Sequence, residues 1–131
     1  MRIWFASGAA LLVLATAALA KPPHLLGPWG GPHAGIAFQG GLADVRFDCA
    51  SGTIDVPVYP AKDGAFEARG TYRAGGPGPV RAGQIFRSQP ATYSGQVRKD
   101  VLTLTVMLED GSAVGPFTLT RGAPPQLTRC L

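Results

Sequence analysis

The sequence is poor in the residues that most often announce chemistry, with two cysteines and two histidines among 131 residues. No Cys-x-x-Cys pair is present, which removes the usual signature of thiol–disulfide exchange. His24 and His33 have neither a cysteine nor a suitably spaced carboxylate beside them, so no metal site is read from the chain and no cofactor is expected. Ser51, Ser88, Ser94 and Ser112 lie in turn or strand contexts that lack the elbow motif of a nucleophilic serine. Asp44, Asp48 and Asp55 fall on polar strand positions, a pattern that suits a solvated face better than paired catalytic carboxylates. An enzyme is therefore disfavoured, and a hydrolase with a shallow surface site ranks last among the functions considered.

A second long apolar run is also lacking. The chain opens with Arg2, passes through an apolar stretch at 9–19 and reaches Ala18-Leu19-Ala20 before Lys21-Pro22-Pro23. A positive start, a short apolar centre and small residues just before a cut are the parts of a cleavable signal peptide. The stretch is shorter than the roughly 20 residues a bilayer span requires, and no cysteine stands at the cut to carry a lipid. The expected organisation is a signal peptide at 1–20 cut after Ala20, a Pro/Gly-rich lead-in at 21–32 anchored by Trp29, and one domain at 33–131. Such a chain is periplasmic or secreted, has no membrane span and is expected to be monomeric. Removing 1–20 takes away Arg2 and leaves 111 residues with 11 Lys and Arg against 8 Asp and Glu. In an oxidising compartment the simplest use of Cys49 and Cys130 is one disulfide, which would tie down the C-terminus. The closed loop of about 80 residues corresponds to roughly 4 kcal/mol on the chain-entropy model.

Helical periodicity is absent as well. Beyond residue 32 the apolar residues recur every second position, in short runs bounded by Gly, Pro, Ser and Asp turn residues, which is the mark of half-buried strands. Strands are predicted at 33–39, 42–49, 53–58, 66–73, 80–86, 91–97, 101–108 and 113–120. The second places Val45, Phe47 and Cys49 on one face, and Ala50-Ser51-Gly52 turns the chain into the third, where Ile54, Val56 and Val58 share a face. The run at 101–108 is the clearest, with Leu102, Leu104, Val106 and Leu108 on one side. Gly70 in mid-strand marks a bend or bulge, and Gly75-Gly76-Pro77-Gly78-Pro79 marks a loop. Seven or eight short strands with tight links imply an all-β antiparallel meander, closed as a small barrel or, alternatively, folded as a β-sandwich. Closure is preferred because it removes exposed sheet edges.

Gly27-Pro28-Trp29 ahead of such a meander resembles the calycin group, the lipocalins and avidins, which open with a Gly-x-Trp segment that plugs one barrel end. The resemblance implies a barrel that binds a small apolar or amphipathic molecule. It also implies an Arg late in the chain, here Arg121 or Arg129, packed over the Trp29 ring with a cation–π energy of about 1 kcal/mol. Trp29, His33, Tyr72 and Tyr93 are the candidate ligand contacts or anchors.

Acidic residues are missing over one long stretch. Between Glu67 and Asp100 there is none, while Arg69, Arg73, Arg81, Arg87, Arg98 and Lys99 all fall there. If the middle strands are neighbours, one sector of the surface is basic and attracts an anionic envelope component or an acidic protein. Nucleic acid is not expected, because no aromatic platform separates the basic residues. Two functions follow: an exported non-enzymatic binder of a small apolar or amphipathic ligand, or a secreted protein-binding module or hydrolase inhibitor acting through the basic sector. The leader reading is checked by intact-mass measurement of protein recovered from an exporting host; the expected N-terminus is Lys21, and a chain still beginning at Met1 contradicts it.

Overall fold

The computed structural model describes residues 8–13, 24–75 and 87–130. Eight strands follow in chain order: β1 (Gly27–Gly31), β2 (Ala34–Gln39), β3 (Leu42–Phe47), β4 (Ala50–Ile54), β5 (Ala65–Ala74), β6 (Ser88–Arg98), β7 (Val101–Leu108) and β8 (Ala113–Arg121). Each pairs antiparallel with the next, and β8 returns to β1, so the sheet closes into a barrel rather than a sandwich. The described residues contain no helix. Alternation drives this result: Ala43, Val45 and Phe47 on β3, and Leu102, Leu104 and Val106 on β7, are buried, while their neighbours face outward or are only half-covered. The links between β1 and β2, β3 and β4, and β7 and β8 form the upper end. The links between β2 and β3, β4 and β5, and β6 and β7 form the lower end, where the chain also enters β1 and leaves β8.

Several details differ from the sequence reading. Gly27–Gly31, placed in the lead-in, is the first barrel strand, because Trp29 supplies a buried anchor and the glycines permit close pairing on both sides. Ala50-Ser51-Gly52 is strand rather than turn; the chain reverses at Asp48 and Cys49, and Cys49 is exposed there instead of lying on the inner face of β3. The strand predicted at 53–58 ends at Ile54, after which Val56 is exposed and Val58 folds back into the core under the barrel. The strand predicted at 80–86 lies outside the described residues.

The interior is filled from all sides. Trp29, Tyr93, Ile54, Leu102, Leu104, Leu119, Val45 and Val106 are the largest fully buried side chains, each less than 2% exposed, and no buried polar side-chain atom among the described residues lacks a partner. Tyr93 explains Gly70. The ring reaches from β6 over β5 toward β4, beside Gly70 and Gly52, and its hydroxyl donates to the Thr71 carbonyl at 2.6 Å. Burial pushes the Tyr93 phenol well above its ordinary value, so it stays neutral and keeps its donor. A Cβ on Gly70 would overlap the Thr53 carbonyl and press on that ring, which is why the strand carries no side chain there. Gly70→Ala is expected to lower stability by about 2 kcal/mol through overpacking, read as a shifted urea midpoint.

Candidate functional site

At the upper end, the turn that follows β3 holds the tail of the chain. After β8 the backbone reverses at Gly122, whose N–H donates to the Pro28 carbonyl at 2.8 Å, and residues 123–130 then cross the outside of β1 and β2. They fit because Gly30 and Gly35 bring no side chain to that wall, where a Cβ would collide with Ala123, Pro124 or Pro125. Gln126 exchanges backbone bonds with Gly31 and His33 at 3.0 and 2.9 Å. Asp48 completes the clamp. One carboxylate oxygen accepts the Thr128 N–H at 2.7 Å and the other meets His33 Nδ1 at 2.6 Å. Next to it Cys49 and Cys130 form the disulfide, with Cα atoms 5.5 Å apart.

His33 holds a left-handed backbone, φ +68°, which aims its ring back across the turn toward Asp48. The pair borders an open cleft of about 630 Å³, whose other wall is Gly115, Pro116, Phe117 and Thr118 of β8. This stretch of β8 has no strand partner on its β1 side, since β1 pairs only through Trp29 with Arg121 and Gly30 with Thr120. Between Leu104 and Val106 of β7 the register shifts, so that Gly115 and Pro116 of β8 form a bulge opposite a single β7 residue, and this broken ladder resists edge-to-edge pairing.

The Trp29 candidate is an anchor. Its ring is 1% exposed, its Nε1–H donates to the Leu26 carbonyl at 3.2 Å, and the Arg121 guanidinium lies 4.3 Å from the ring centroid. Arg121 also reaches Asp100 through Nε at 3.1 Å. Arg129, the other candidate for this position, belongs instead to the tail. Tyr72 sits at the upper rim against Phe47, with ring centroids 5.5 Å apart, and Phe117 meets Phe47 from the other side at 5.3 Å. Tyr93 is sealed inside and cannot meet a guest from solvent.

The basic sector is divided. Arg69 and Arg73 face outward on β5, with Arg87 just ahead of β6, whereas Arg98 and Lys99 stand at the lower end, where β6 turns into β7. Arg81 lies outside the described residues. Arg69 shares an open cleft of about 450 Å³ with Asp55, Glu109, Met107 and Pro90, so two carboxylates interrupt the positive surface. Among the described residues no three His, Cys, Asp or Glu side chains gather closely enough to hold a metal ion.

Asp48, Phe117 and Met107 were not singled out by sequence as site residues. Asp48 reads as one more alternating polar residue, and its partner Thr128 lies 80 positions away. The Asp48 carboxyl is held below its ordinary 3.8, first by the Thr128 N–H, against partial desolvation, with His33 adding to the lowering. A depressed folded value means the clamp acts fully above the unfolded carboxyl's range and is lost as pH falls through the folded value. Asp48→Ala is therefore expected to destabilise the protein at neutral pH. The gap from the parent should shrink below about pH 4, as followed by urea midpoints across a pH series. Compared with protein-family models, with curated proteins and with solved structures, the chain matches none.

Proposed function

We propose that this chain is an exported, non-enzymatic binding module that recognises a protein partner through the outside of its barrel, in the manner of secreted hydrolase inhibitors. The observation that carries this reading is the division of the molecule into a filled inside and an uneven outside. Fully buried aromatic and aliphatic side chains occupy the axis, while the clefts beside His33 and Asp48 and beside Arg69 open outward. A closed barrel braced by a disulfide and a clamped tail is a stiff platform, and a stiff surface loses little conformational entropy on association. The disulfide is compatible with an oxidising, extracytoplasmic compartment, and the apolar N-terminal segment supports export.

A small amphipathic ligand is the second reading, favoured by the rim formed by Phe47, Tyr72 and Phe117 and by the Gly27-Pro28-Trp29 opening with Arg121 over Trp29, which suits a calycin-like barrel. Two measurements separate the readings. Capture from an envelope extract at low and high salt is expected to retain a protein partner whose binding weakens as salt rises, because the upper arginines contribute. Native mass spectrometry of the purified chain is expected to show the bare mass. A retained small molecule, with no salt-sensitive protein captured, overturns the protein-binding reading in favour of the ligand.

A further inference from the structure

Large apolar side chains that stay exposed gather at the lower end of the barrel. Residues 24–26 pair there with the loop that follows β4. The Leu25 N–H donates to the Val58 carbonyl at 2.9 Å, and the His24 and Tyr59 rings meet edge-on with centroids 6.0 Å apart. Val58 is buried, Leu25 packs on the core and Pro57 lies against the β2–β3 turn at Gly41, so that a stopper closes this end. Around it Leu26, Leu42, Val56, Tyr59 and Val101 remain between 40% and 57% exposed. Among the described residues from 24 onward, Met107 is the one exposed large apolar side chain placed elsewhere. Apolar surface gathered in this way marks a contact site.

Neither sign of charge dominates this end, but the unpaired charges stand on different sides of it. On one side Leu42, Asp44, Thr53 and Asp55 line an open cleft of about 240 Å³, and no cation lines it. Asp55 accepts the Thr53 hydroxyl on one carboxylate oxygen at 2.8 Å, and neither Asp44 nor Asp55 has an ion pair among the described residues. Arg69 flanks Asp55 on β5 without an ion pair to it. On the other side Arg98 and Lys99 are exposed and make no ion pair among the described residues, while Asp100 is engaged by Arg121 at 3.1 Å. Lys99 stands in the two-residue turn after β6 with a left-handed φ of +53°, and Val101 beyond it is the register partner of Arg98. Lys62 and Asp63 are adjacent and of opposite sign ahead of β5, and Glu67 faces outward higher on that strand. β3, which carries Leu42 and Asp44, and β7, which follows Lys99, stand opposite each other in the ring of eight strands.

We propose that the lower end joins a second copy of this chain in an isologous dimer, with the apolar cluster at its centre and Arg98 and Lys99 of each copy meeting the Asp44–Asp55 cleft of the other. A two-fold contact requires a self-complementary surface, because the patch meets itself turned over. This end meets that requirement. With free cations on one side of the cluster and free carboxylates on the other, a half-turn about a line between the two sides brings unlike charges together twice. A surface of one sign has no dominant opposite charge to find here, whereas a second copy supplies both signs in the right places. An apolar centre with a charged rim is also the usual make-up of a protein interface. The dimer takes the place of the monomer expected from sequence. It is independent of the protein-partner proposal and leaves the His33 cleft free at the opposite end.

The test is analytical sedimentation of the full chain, recovered from an exporting host, over a series from low micromolar to near-millimolar concentration. The parent is expected to pass from monomer to dimer and to grow no further. Lys99→Glu and Asp44→Lys, each alone, are expected to raise the dissociation constant roughly tenfold, since both charged contacts of the pair become repulsive. Mixing the two variants is expected to restore the dimer, because one contact then has its signs exchanged and the other is that of the parent. Leu42→Ser combined with Val56→Ser should weaken it by a similar factor, and Met107→Ser should leave it unchanged. All substituted side chains are exposed, and urea midpoints matching the parent in dilute solution certify the fold. A parent that stays monomeric throughout the series overturns the proposal and leaves the cluster to a different partner. Growth beyond two copies overturns the isologous contact. A dimer that both charge reversals leave intact, or a mixture no stronger than its components, overturns it too.

Discussion

Two register pairs close the ring: Trp29 opposite Arg121 and Gly30 opposite Thr120. Every other neighbouring pair of strands shares at least four residue pairs, so the junction of β1 with β8 is the narrowest part of the wall. Without it the meander is an open sheet with two exposed edges, and such edges invite pairing with other chains. The surrounding residues reinforce this seam from three sides. Trp29 fills the barrel behind it, Arg121 covers the Trp29 ring from the rim, and the tail runs across the outer wall at Gly30. The Asp48 clamp and the disulfide then hold the far end of that tail. The disulfide, which in isolation reads as a generic staple, here secures the strap over the weakest junction of the barrel.

Closure by packing has a consequence for where binding happens. Each residue that tightens the ring occupies its centre: Tyr93 spans the space over Gly70 and Gly52, and Trp29 takes the lower end. Recognition is thereby displaced to features the core does not use. These are the cleft where β8 outruns β1, the aromatic rim at the top, and the apolar patch around the lower stopper. The two ends differ in character, one holding the clamped tail and the other the exposed apolar residues.

Period-two alternation made β2, β3, β5, β7 and β8 legible, because a strand with one wet face and one buried face writes that fact residue by residue. Gly27–Gly31 was not legible as strand, since glycines and Pro28 carry no alternation; its place depends on the partners that β2 and β8 offer. The turn at Asp48 and Cys49 was misplaced by two residues for a related reason. Ala50, Ser51 and Gly52 have turn composition, yet they pair along β3 and β5, where small side chains leave room for Tyr93. The charge run from Arg69 to Lys99 was real in sequence but became two separate groups, because β5 and β6 are long strands that carry its members to opposite ends.

Local chemistry in the sequence by itself determined the all-β class, the meander order, the inward faces of the regular strands and the pairing of the only two cysteines. Those properties depend on near neighbours, on polarity alternation and on the count of thiols. Only the tertiary structure decided that Arg121 rather than Arg129 covers Trp29, that Asp48 is a clamp for Thr128, and that Leu26, Leu42, Val56, Tyr59 and Val101 share one end. Each of these joins residues far apart in the chain. Their meeting is set by register and barrel closure, quantities that no single stretch of residues encodes.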